Sequence, residues 1–146
     1  MPSHRIFRWL ALSRAERRLL LEALMALALA RLALAILPVT TVLGRFGLRL
    51  SEGKEAEAIA SDPEQAHRIG RAVRCAARHA PFRTLCLPRA LASSIMLRRR
   101  GLPVALWLGV ARAEGLTAHA WCVSGPAPVV GTATAAAYTV IAVYRG

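Results

Sequence analysis

The chain has 146 residues, the size of one domain built around one modest core. Hydrophobic residues make up 55% of it and aromatics only 5%, so the interior must be alanine and aliphatic side chains, which favours helices over a large β-sandwich. The net charge of +12 is carried almost wholly by arginine, with Lys54 the only lysine; few aromatics stand among the arginines as stacking platforms and no recognition motif is present, which disfavours nucleic acid and points to an acidic peptide, a protein partner or lipid headgroups.

Residues 1–50 read as a helical arm. Arg5, Arg8, Arg14, Arg17 and Arg18 precede an apolar block over residues 19–38, which Glu22 and Arg31 interrupt. No unbroken run reaches the roughly 18–20 residues that a membrane span needs, and the interruptions also disfavour a signal peptide. A buried or interfacial helix is expected, stopping near Pro38, Gly44 and Gly47, with a peripheral membrane contact open to the arm. The polar and charged cluster of Ser51, Glu52, Gly53, Lys54, Glu55 and Glu57 marks residues 51–62 as a linker, and residues 63–146 as the core of a single domain.

A second helix starts at Asp62, Pro63, Glu64 and Gln65. There aspartate can cap, proline can take the first helical position and Gln65 can reach back to the cap. Helical spacing places Ala66, Ile69, Ala72, Val73, Ala76 and Ala80 on one side, facing the core, and His67, Arg71, Arg74 and Arg78 on the other. A third helix starts near Cys86, accommodates Pro88 in its first turn, and ends at Arg98, Arg99 and Arg100 with Gly101 as its stop.

After Gly101 the period changes to two: Val104, Leu106, Leu108 and Val110 alternate with Ala105, Trp107, Gly109 and Ala111. Strands are expected there, at residues 118–123, around Val129 and Val130, and over residues 138–144, with turns at Glu114-Gly115 and Ser124-Gly125-Pro126. The fold class is therefore α+β, N-terminal helices followed by a small antiparallel sheet.

Two side chains in this frame carry chemistry. Cys86 opens a helix, where unpaired backbone N–H groups point outward, and His119 lies on a later strand. Thiolate is the nucleophile in cysteine catalysis, and both a helix N-terminus and a neighbouring imidazolium favour the anion. On its strand His119 shares a face with Trp121 and Val123, while Ala118, Ala120 and Cys122 take the other, so Cys122 is poorly placed to partner it. Trp121 should pack beside the site. Cys75 and Cys122 read as bystanders. Three irregularly spaced cysteines make neither a disulfide framework nor the paired spacing of structural zinc, so a cytoplasmic protein with no metal and no cofactor is expected.

The segments 80–91, 97–103 and 108–110, with Ala118-His119-Ala120-Trp121, resemble the transglutaminase-like peptidases of bacterial lasso-peptide biosynthesis. The likeness extends to the leucine- and arginine-rich arm. It implies a transglutaminase-like, papain-like cysteine protease fold, with Cys86 and His119 catalytic. It also implies the separate peptidase half of a two-part leader protease, which removes the leader from a ribosomally made precursor before a cyclase closes the macrolactam. A leader-binding recognition protein, the precursor peptide and the lasso cyclase are then the partners. One departure stands out. The family usually has an aspartate about a dozen residues after the histidine, but no Asp or Glu follows Glu114. Thr132, Thr134, a backbone carbonyl or a water must orient His119, or the chain is a non-catalytic module that binds the precursor or a partner.

Overall fold

Ser13 and Glu16 satisfy each other's backbone in a reciprocal capping box, and this starts α1 (Arg14–Ile36) in the computed structural model, which describes residues 10–52 and 62–146. Its inward line is small: Ala23, Ala26, Leu27 and Ala30 are buried against the two helices that follow the linker. Pro38 ends it, and the short α2 (Val39–Arg45) turns back to bury Val42 and Leu43.

α3 (Pro63–His79) begins where Asp62 Oδ1 accepts the Gln65 N–H at 3.1 Å. The apolar side expected for it is buried from Ala66 to Ala76, and Gly70 and Ala77 join it. Ala80 lies beyond the helix, as its C-terminal cap. α4 (Cys86–Arg98) follows, packed on α1, α3 and the sheet.

The sheet has five antiparallel strands in the order β1-β5-β2-β3-β4: β1 (Arg49–Ser51), β2 (Ala105–Arg112), β3 (Leu116–Ser124), β4 (Ala127–Val130) and β5 (Thr139–Arg145). A 3₁₀ turn (Thr132–Ala137) links β4 to β5. Two features depart from the sequence reading. Residues 49–51, read as the junction of arm and linker, form an edge strand, and residues 132–137 form the 3₁₀ turn. Residues 53–61, most of the expected linker, lie outside the described residues.

Register sorts the side chains into two faces. Leu106 lies opposite Cys122 and Tyr144, and this row packs under the helices; Ser94 Oγ of α4 is 3.7 Å from the Cys122 sulfur. Trp107 lies opposite Trp121 and Val143, on the face away from the helices.

One ion pair ties the arm to the core. Glu22 of α1 accepts from both Nη1 and Nη2 of Arg100, at 2.9 and 2.7 Å, with Arg99 at 3.4 Å. The Arg100 hydrogen bonds hold the Glu22 carboxyl below its ordinary value of 4.5 against the opposing effect of burial. A carboxylate depressed on folding stabilises fully above its unfolded value and loses that contribution as pH falls through the folded one. Glu22→Gln is therefore expected to cost about 1.5 kcal/mol at pH 7, with the deficit shrinking as the pH drops below about 4.5. Urea melts of both proteins across that range check it, and a deficit independent of pH would refute the assignment.

Candidate active site

Cys86 occupies the first position of α4, half-buried against the core, and its thiol is free. Leu85 caps the helix with backbone alone, and Arg89 N–H is the first to bond back, to the Leu85 carbonyl at 3.3 Å. Pro88 has no N–H, so the N–H groups of Cys86 and Leu87 are left without an acceptor inside the helix. Two unpaired donors beside a sulfur are the kind of groups that can hold an oxyanion.

His119 sits on β3 opposite Gly109, at a point where β4 no longer covers the strand, since β3–β4 pairing stops at Cys122 and Val130. Gly131, with φ of 74°, turns the chain there and brings its carbonyl to 2.7 Å from His119 Nε2. A carbonyl only accepts, so Nε2 carries the proton and Nδ1 the lone pair. Thr134 Oγ1, at 3.3 Å, takes a weaker share of the same donor. Among the described residues Nδ1 has no hydrogen bond and Thr132 makes none to the ring.

The imidazole is held between two rings, Trp121 at 5.8 Å and Tyr138 at 4.9 Å between centroids, and Trp121 stacks in turn on Trp107 at 6.2 Å. Gly109 makes this clamp possible. A Cβ there would lie 2.9 Å from both the Trp121 ring and the Tyr138 Cβ. The glycine opposite His119 is the close backbone approach that glycine within a strand signals. Neither it nor Tyr138 was singled out by sequence reasoning, which named Trp121 alone.

Cys86 and His119 come from elements that pack directly together, α4 on β3. Their side chains are not joined, however: among the described residues no hydrogen bond links the Cys86 sulfur to the His119 ring. The ring lies on the Trp121 face of β3, whereas α4 packs on the Ala120–Cys122 face. The other cysteines lie elsewhere. Cys122 is wholly buried, and burial pushes its thiol up to about 12, only partly offset by the Ser94 hydroxyl. Cys75 is on α3, where its carbonyl contacts His79 Nδ1 at 2.8 Å. The basic side of α3 lines an open groove of about 600 Å³ with Glu64, His67, Arg71 and Arg74, and Arg74 Nη1 donates to the Val129 carbonyl at 2.7 Å, two residues before Gly131.

Residues 24–143, most of the chain, match the model of the transglutaminase-like superfamily. The chain belongs to the transglutaminase-like superfamily. Comparison with curated proteins and with solved structures finds no match. The helices-then-antiparallel-sheet order is that of a transglutaminase-like α+β domain, in agreement with the expected fold class, and the superfamily generally includes cysteine peptidases.

Proposed function

We propose that this transglutaminase-like protein is a cysteine peptidase that removes the leader from a lasso-peptide precursor before macrolactam formation. The observation that carries the reading is the Nε2–H bond from His119 to the Gly131 carbonyl, which supplies without a carboxylate the orientation that the missing aspartate would give.

In this mechanism the Cys86 sulfur attacks the carbonyl carbon at the leader–core junction while His119 Nδ1 takes the thiol proton. The N–H groups of Cys86 and Leu87 hold the oxyanion. The proton passes from His119 to the leaving amine, which departs as the amino terminus of the core peptide, and the leader remains as a thioester. Water then attacks the thioester, giving its proton to His119. The leader leaves with a free carboxylate and the thiol is restored. Because the ring lies on the face of β3 turned away from α4, this mechanism requires a rearrangement on substrate binding that carries His119 Nδ1 round to the Cys86 sulfur. A separate leader-binding protein delivers the precursor, the lasso cyclase takes the product, and the reaction runs in the bacterial cytoplasm.

The unlinked Cys86 and His119 side chains favour a second reading, a domain of this fold that holds the precursor without cutting it. Mass spectrometry of a precursor incubated with this protein and its leader-binding partner separates the two. Cleavage by the wild type and none by Cys86→Ala is the expected result. If neither protein cuts, although both are folded and the partner is bound, the binding module is correct.

A further inference from the structure

The side of α1 turned away from the domain is apolar, as is the side turned in. Leu21, Met25, Leu29, Leu32 and Ile36 follow one another at three- and four-residue steps, a single line about 23 Å long, and remain 47% to 73% exposed. The inward line, Ala23, Ala26, Leu27 and Ala30, is 6% exposed or less. Leu37 and Val39 extend the outer line past the helix end, each 37% exposed.

The charges beside this line are of one sign. Arg14 and Arg18 stand on the same line in the turns before Leu21, and both are exposed. The two carboxylates of α1 are already engaged, Glu16 in the capping box and Glu22 with Arg100 and Arg99. Among the described residues the outer line of α1 therefore offers hydrocarbon and guanidinium with no carboxylate on it. A second copy laid against it would match the apolar line but bring nothing acidic to Arg14 and Arg18. A bilayer with anionic headgroups supplies both complements side by side, and a helix lying in its plane sinks its apolar side while arginines meet the headgroups. α1 is long and apolar enough to cross a membrane, yet its inner line and Glu22 fasten it to α3 and α4, so it lies on the surface.

We infer that the outer line of α1 docks this domain on an anionic lipid surface. The inference is independent of the peptidase reading, since it uses no residue of the candidate active site.

The test is flotation of the full chain with vesicles of phosphatidylglycerol mixed with phosphatidylcholine, and with phosphatidylcholine alone, at low and high salt. Flotation with the anionic vesicles, weakened by salt and by the zwitterionic lipid, is expected. Arg14→Gln with Arg18→Gln should lower the partition coefficient roughly thirtyfold. Met25→Glu with Leu32→Glu should abolish flotation and leave the melting temperature little changed, because these side chains are 73% and 59% exposed and, among the described residues, lie outside the core. Absence of wild-type flotation, or flotation that survives Met25→Glu with Leu32→Glu, overturns the inference. A large fall in melting temperature in that variant also overturns it, by showing that the chain itself covers the face. So does a dimer, detected by sedimentation without lipid, that the same variant dissolves while vesicles bind nothing.

Discussion

His119→Ala is expected to lower kcat for precursor cleavage about a thousandfold or more, with KM little changed. The imidazole is the only base that the proposed mechanism uses, and its Nδ1 lone pair exists because Nε2–H is committed to the Gly131 carbonyl at 2.7 Å. Thr134→Ala removes only the 3.3 Å contact and leaves that carbonyl in place, so it should cost less than about tenfold. The contrast between the two variants is the informative measurement. Equal losses would mean that the threonine hydroxyl orients the ring. Activity in His119→Ala within tenfold of wild type would remove the imidazole from the mechanism.

Gly70→Ala should destabilise the domain by about 2 kcal/mol and Gly70→Val by about 3 kcal/mol, against the general rule that alanine in place of a mid-helix glycine gains roughly 1 kcal/mol. The reason for the reversal is backbone contact. A Cβ on Gly70 would run into the Val129 carbonyl oxygen, and a main-chain atom held in β4 cannot swing aside as a side chain does. Accommodating it would push α3 off β4 and stretch the 2.7 Å bond from Arg74 to the same carbonyl. Since Val129 leads directly into Val130 and Gly131, the orienting carbonyl of His119 should move as well, and turnover should fall with stability. Denaturant melts of the three proteins decide the matter, and a stabilised Gly70→Ala would disprove the close approach.

The parts of this fold that were legible in the sequence are those with local signals. Asp62 and Pro63 announce α3 because a cap and a first-turn proline are chemical features of adjacent residues, and Asp62 does cap it. The change from helical to alternating period after Gly101 announces β2, which runs over Ala105–Arg112. β1 has no such signal. Three residues with no apolar alternation become a strand only because β5 supplies a partner, with Arg145 Nε donating to Ser51 Oγ across a separation of 94 residues.

The candidate site was half legible for the same reason. Cysteine at a helix mouth and histidine on a strand are side-chain facts. A backbone carbonyl as the orienting group was one of several alternatives left open, and the sequence could not choose among them because every residue has a carbonyl. The choice follows from the path of the chain at Gly131, whose φ of 74° is a conformation that glycine adopts at little cost. The clamp of Trp121 and Tyr138 on the imidazole likewise depends on Gly109, whose significance emerges only from the register that sets it opposite His119.

The strand order also has a consequence for how the protein assembles. β2 and β3 are joined by a tight turn at Gly115, so the hairpin bearing His119 can zip from its own end within microseconds. β1 has no such neighbour. It can enter the sheet only after β5, the last strand in chain order, has slotted in between it and β2. Closing that long loop is the slow entropic step in a topology of this kind. In a chain emerging from the ribosome the histidine's hairpin can therefore pair before β5 is made, while β1, the first strand synthesised, is the last to dock.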